Sequence, residues 1–247
     1  MEIKRVLISQ PEPSGASPYT DMISKWGLTI DFHPFFRVEG VSVRDFVAQR
    51  VTILDYTAIV FTSRLAIDSF FHICEQTRVN VPETMKYFCQ SEAIAVYLQK
   101  YIVYRKRKIF FGTGSPESIV GLIGPKHKGE KFLITMSDST SAEALTSLFD
   151  AHKLSYATGI FVKSESMDLK DLDIHSYDMV VFYNPADIKS LEENFPDFKQ
   201  GNLKMVSYGR SIVKAMEDAG LRIDVKAPSP EAPSVASAIE LYLKSLA

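Results

Sequence analysis

The stretch Ala58-Ile59-Val60-Phe61-Thr62-Ser63-Arg64 decides the architecture. Ala58 to Phe61 is an apolar run with β-branched and aromatic side chains, the pattern of a strand buried on both faces. Thr62 and Ser63 stop it, and Leu65-Ala66-Ile67-Asp68-Ser69-Phe70-Phe71 continues with helical spacing. The junction therefore reads as strand, turn, helix, with hydroxyls at the carboxyl end of the strand. In open parallel sheets, ligands bind in the crevice at that end. The start of the following helix offers unpaired N–H groups to an anion.

The stretch has an echo. Tyr177-Asp178-Met179-Val180-Val181-Phe182-Tyr183-Asn184-Pro185 repeats the design, and Lys204-Met205-Val206-Ser207-Tyr208-Gly209-Arg210-Ser211 repeats Lys86-Tyr87-Phe88-Cys89-Gln90-Ser91-Glu92-Ala93 at a nearly constant separation. That constancy suggests two related strand–helix–strand–helix units; the alternative is a chance match of apolar strands.

Working outward, Arg5 to Gln10 reads as a first strand, followed by a turn-rich loop and a helix stopped by Gly27. Leu28 to Glu39 and Ser155 to Ser164 are extended runs, long for strands of one compact domain. Between and beyond them strands and helices alternate, which implies parallel α/β architecture. The helices are expected at 42–50, 64–77, 91–100, 186–194, 210–219 and 231–245. Ser115-Pro116-Glu117 opens another, and Thr140 with Glu143 fits a capping box for one ending near His152. If both long runs cross between domains, residues 38–160 form a domain inserted into an outer one made of 1–34 and 165–247. A two-stranded ribbon of 34–38 and 160–164 joins them, with Ile160-Phe161-Val162 antiparallel to Phe35-Phe36-Arg37. The expected fold is two Rossmann-like parallel α/β domains, with a ligand cleft between them.

Composition narrows the chemistry. The 247 residues are 46% hydrophobic and 23% charged, with a net charge of −2. No global field draws nucleic acid or a membrane surface. Cys74 and Cys89 form no CxxC pair, and the five histidines show no ligand spacing, so a metal site is not expected and a reducing compartment is. With no long apolar segment, a cytoplasmic location is expected. A monomer is expected as well. No nucleotide loop, nucleophile elbow or paired carboxylates stand out; Gly112-Thr113-Gly114 reads as a turn. What remains is a cofactor-free site of hydroxyls and backbone amides. Its members are the polar strand ends Ser9-Gln10, Thr62-Ser63-Arg64, Gln90-Ser91-Glu92, Ser137-Asp138-Ser139, Asn184 and Tyr208-Gly209-Arg210-Ser211. Each alone is explained as a helix cap; together they suit a ligand with several anionic or carbonyl groups. Thr62, Ser63, Arg64, Ser91, Asn184, Tyr208, Gly209, Arg210 and Ser211 are the candidate binding residues, with Gly209 letting a carboxylate approach its N–H closely.

The chain resembles the uroporphyrinogen-III synthase family over nearly its whole length. Phe61-Thr62-Ser63-Arg64-Leu65-Ala66-Ile67 is similar to that family's F-T-S-x-N-A-V. Ser207-Tyr208-Gly209-Arg210-Ser211-Ile212-Val213 is similar to its second-repeat I-G-x-x-T-A. Phe182-Tyr183-Asn184-Pro185 lies where it has F-T-S-P. The resemblance implies a cyclising lyase that needs no cofactor. Such enzymes convert hydroxymethylbilane, which carries eight carboxylates, to uroporphyrinogen III, with loss of water and inversion of ring D. Positioning does most of the work. There are departures: Leu65 stands for the family's Asn, Ile94 and Ile212 for its Thr, Ser91 for its Gly, and Ser9-Gln10-Pro11 for T-R-P. The family's ribbon tyrosine falls near Val162, leaving Ser63, Lys163 and Arg210 as candidate catalytic groups. These departures raise an alternative, a tetrapyrrole-binding or regulatory homologue on the same scaffold. A third reading is an unrelated two-domain α/β binding protein.

Overall fold

The structure is a computed structural model that describes residues 2–15, 17–139 and 143–246. The chain divides into two compact units, one of residues 1–37 and 165–247, the other of 38–164. The fold is mixed α/β, built on parallel sheets. In chain order the first unit begins with β1 (Arg5–Ile8), α1 (Pro18–Trp26) and β2 (Thr29–Phe32). The chain then runs through β3 (Phe36–Gly40), α2 (Val43–Ala48), β4 (Ala58–Phe61), α3 (Arg64–Gln76), β5 (Lys86–Cys89), α4 (Glu92–Tyr97), β6 (Ile109–Phe111), α5 (Pro116–Ile123), β7 (Lys131–Ser137), α6 (Glu143–Ala151) and β8 (Ser155–Ser166). It closes the first unit with β9 (Met179–Phe182), α7 (Pro185–Asn194), β10 (Lys204–Tyr208), α8 (Arg210–Asp218), β11 (Val225–Ala227) and α9 (Val235–Leu246).

The first unit's sheet has the order β11-β10-β9-β1-β2 and is parallel throughout. The other sheet has the order β3-β8-β7-β4-β5-β6, with parallel pairing from β8 to β6. In each sheet the chain builds outward from a central strand in both directions, which creates a switch point between β1 and β9 and another between β4 and β7.

The apolar runs form strands because both faces are covered. In β4, Ile59 and Phe61 pack with Phe70, Ile73 and Tyr87, while Ala58 and Val60 pack with Phe88, Phe132 and Phe149 on the opposite face. The period-2 alternation of a strand sends neighbours to opposite cores. β9 does the same: Met179 and Val181 join Val6 and Val206, while Val180 and Phe182 join Leu7 and Met205. Fully burying each such side chain is worth about 1.5–3 kcal/mol, which outweighs the local preference of any single residue. Among the described residues no helix is long and apolar enough to cross a membrane.

The long run from Leu28 to Glu39 is not one strand. It breaks at His33-Pro34-Phe35 into β2 of one sheet and β3 of the other. β3 lies beside β8 and runs against it, but in a register different from the expected one. Met167 N–H bonds Phe35 O at 2.8 Å and Val41 N–H bonds Phe161 O at 3.0 Å, so Phe161 does not face Phe35. Each phenylalanine belongs to its own core. Phe35 packs edge-on to Phe182, whereas Phe161 packs on Phe46 and Phe70.

Caps explain the helix boundaries. Gly27 ends α1 with φ 64°, and Ser115 caps α5 with Pro116 following. The expected helix over 91–100 changes to a tighter 3-10 turn at Leu98. The last helix starts at Val235, after Pro228, Pro230 and Pro233, rather than at 231. The capping box expected at Thr140 lies outside the described residues, and α6 ends at Ala151.

Candidate functional site

In the unit of residues 38–164, Thr62 follows β4 at the switch point. Its hydroxyl donates to Thr135 O at 3.0 Å, and Thr135, fully buried on β7, donates its own hydroxyl to Val60 O at 2.9 Å. These bonds tie the two strands together where they diverge. Ser63 caps α3, its Oγ accepting the Ala66 N–H at 3.1 Å. Arg64 is the first helical residue. It is exposed, has no ion-pair partner among the described residues, and lies over the Tyr97 ring at 5.6 Å. Asp68, one turn on, accepts from both the Tyr97 and Tyr101 hydroxyls and from Lys100 Nζ, which binds α3 to the end of α4. Burial raises the Asp68 pKa, but those hydrogen bonds outweigh it and leave the carboxyl below the usual value.

Ser91 is one strand removed from Thr62. Its side chain makes no cap bond, and its backbone bridges Thr113. Gly112-Thr113-Gly114 is an irregular connector with an isolated bridge at Thr113, not a regular turn: Gln90 holds Gly114 O at 2.8 Å, and a Cβ on Gly112 would lie 2.2 Å from Ser118 Oγ. Val162 is 4% exposed in the core, so that position presents an apolar side chain. Lys163 lies 3.4 Å from Glu39 Oε1.

In the other unit the strand ends of β1 and β9 converge on Asp187. This carboxylate is fully buried, and its Oδ2 accepts from Ser9 Oγ (2.8 Å), Tyr183 N–H (2.8 Å) and Asn184 N–H (2.9 Å). Burial pushes its pKa up to about 6, against the pull of those three bonds. Asn184 completes a capping box on α7, its Oδ1 accepting the Ala186 N–H at 2.9 Å. Beside this cap, the hydroxyls of Tyr183 and Tyr19 approach to 2.5 Å, and the Tyr208 ring lies 5.5 Å from that of Tyr183. Burial raises the pKa of both paired phenols.

Gly209 corrects the expectation placed on it. Its N–H is engaged by Ala227 O at 2.7 Å, because β11 runs alongside β10, so it has no proton to offer a carboxylate. Glycine is needed instead for its backbone, with φ 96° and ψ 166°. Arg210 and Ser211 open α8, which has no side-chain cap. Both are exposed, and Arg210 has no ion-pair partner among the described residues.

The predicted residues thus fall into one cluster in each unit. Thr62, Ser63 and Arg64 stand together with Ser91 one strand away. Asn184 stands with Tyr208 to Ser211 one strand away, joined through the Tyr183–Tyr208 contact. Tyr19, Tyr183 and Asp187 escaped the sequence reading. The available signals were Tyr183 directly before Asn184 and Tyr19 directly after the Ser17-Pro18 helix start. No group of three or more His, Cys, Asp or Glu suited to a metal ion occurs among the described residues.

The family model of uroporphyrinogen-III synthase HemD matches residues 17–237. The chain belongs to the uroporphyrinogen-III synthase family. That family is one of cyclising lyases in porphyrin biosynthesis. No curated protein matches the chain. Among solved structures, uroporphyrinogen-III synthetase from Helicobacter pylori is 14% identical, with 98% of this chain and 100% of that one covered and a TM-score of 0.53. A mutant uroporphyrinogen III synthase from the extremely thermophilic bacterium Thermus thermophilus is 13% identical, with 98% of each chain covered and a TM-score of 0.49. The Helicobacter match shows that the synthase fold is shared even where so few residues are.

Proposed function

We propose that this chain converts hydroxymethylbilane to uroporphyrinogen III, in the cytoplasm, as a monomer. The observation that carries the reading is the family match from residue 17 to residue 237. The two strand-end clusters supply chemistry that suits the substrate. Helices α3 and α8 begin at the carboxyl ends of parallel strands, where N–H groups and the helix dipole favour carboxylates. Arg64 and Arg210, the first residue of each, add exposed guanidinium groups for bidentate contact. The hydroxyls of Ser63 and Thr62 are engaged within the protein and hold the loop in shape, so binding falls to the amides and the arginines. Ordering the flexible tetrapyrrole so that ring D is attacked in the inverted sense lowers the barrier by positioning. The buried Cys74 and Cys89 are free thiols, which suits a reducing compartment.

The test supplies purified protein with enzymatically generated hydroxymethylbilane and separates the product isomers after oxidation. Type III product in excess of the spontaneous type I background is expected. Type I alone, at the uncatalysed rate, would overturn the proposal.

A further inference from the structure

A pair of phenols lies by the carboxyl ends of the paired strands β1 and β9. Tyr19 comes from the first turn of α1 and Tyr183 from the residue after β9, and their oxygens lie 2.5 Å apart. Tyr19 is braced edge-on against Phe32 at 5.7 Å. Tyr183 is braced by its N–H bond to buried Asp187 and by the Tyr208 ring. Tyr208 itself is 38% exposed, so the cluster reaches the surface.

Two phenols carry two hydroxyl protons, and a mutual hydrogen bond uses one. The other has no protein acceptor among the described residues. Both rings are half-buried, and their raised pKa keeps both protonated at neutral pH. The pair is therefore a permanent donor, prepositioned at a switch point where α/β sheets take ligands. An O–H in partly desolvated surroundings bonds most strongly to an anionic acceptor. The neighbouring groups agree with an anion: Arg210 and the uncapped start of α8 follow two residues after Tyr208.

We propose that the Tyr19–Tyr183 pair donates its one unengaged hydroxyl to a carboxylate of the tetrapyrrole, with Tyr208 offering its exposed face to the attached pyrrole ring. This deepens the proposed synthase function and rests on it.

A cycle of Tyr19→Phe, Tyr183→Phe and the double variant tests it, because phenylalanine keeps the ring packing. Either single variant retains one hydroxyl, which is free to turn to the ligand, so KM rises at most about threefold. The double variant loses the donor altogether. Its KM rises about tenfold or more, beyond the product of the two single effects, with kcat within about twofold. A purely structural tie between α1 and β9 gives the opposite pattern, since either single change already breaks it and the double adds nothing. That pattern, or an unchanged KM in all three, overturns the proposal while leaving the synthase reading intact. The same cycle read by quenching on binding uroporphyrin, an octacarboxylate, separates the two claims. A wild type that makes no type III product but binds uroporphyrin with the same synergistic loss sinks the function and keeps the phenol site. A wild type that does neither sinks both.

Discussion

Replacing Gly209 by alanine isolates what glycine does at the start of α8. The residue sits at φ 96° and ψ 166°, a region nearly closed to residues with a Cβ. An added Cβ would meet no atom within 4 Å, so collision with neighbours contributes nothing. The Gly209 N–H stays bonded to Ala227 O whichever side chain is present. The whole cost is then the backbone conformation, about 1–3 kcal/mol. In a protein of this size each kcal/mol lowers the melting midpoint by roughly 2–4 °C, so a fall of about 2–12 °C is expected. Gly121 provides the control. It lies inside α5, is exposed, has no positive φ and would also meet nothing within 4 Å. Gly121→Ala should gain about 0.5–1 kcal/mol from better helix propensity. Thermal unfolding followed by circular dichroism, with urea titration alongside, measures both. If Gly209→Ala melts with the wild type, or Gly121→Ala loses as much as Gly209→Ala, the conformational argument is wrong. A Gly209→Ala protein of native stability that had lost only tetrapyrrole affinity would restore the close-approach role instead.

Ser63→Ala removes the α3 cap and should cost about 1 kcal/mol in urea denaturation, with the product isomer ratio unchanged. Asp187 gives a pH signature. Its folded pKa is raised from 3.8 to about 6, so its contribution to stability is full below about pH 4 and is lost as pH rises through about 6. That loss amounts to roughly 2–3 kcal/mol; denaturation midpoints of Asp187→Asn across this window should lack the decline, and a decline equal to that of the wild type would exclude Asp187 as its source. Asp68 titrates in the opposite sense: its lowered pKa gives stability that is present above pH 3.8 and lost below it. Asp68→Asn should therefore destabilise the protein by about 1–2 kcal/mol at pH 7 and much less near pH 3, and equal losses at both would refute the assignment. Arg210→Gln should raise KM for hydroxymethylbilane about tenfold with little change in the melting midpoint, since no ion pair within the described residues is broken; an unchanged KM would remove Arg210 from the site.

Much of the fold was legible because it rests on short-range patterns. Ala58 to Phe61 and Met179 to Phe182 are apolar at four successive positions, and such short β-branched and aromatic runs bounded by turn residues bury all their side chains as strands covered on both faces. The turn residues after them and the repeat of the whole unit are equally local, as are the Gly27 and Ser115 caps. The strand ends that carry the candidate site could be named for the same reason. Tertiary structure alone decided which of their groups remain available. Sequence lists donors and acceptors but not their partners, and a partner is set by distant segments brought together. Thr62 is engaged by Thr135, Gly209 by Ala227, and the two phenols by each other across 164 residues of chain. The β3–β8 register was decided in the same way: Phe35 and Phe161 look interchangeable in sequence, but each is held by a different buried core, and the free energy of filling those cores outweighs any local preference for pairing them.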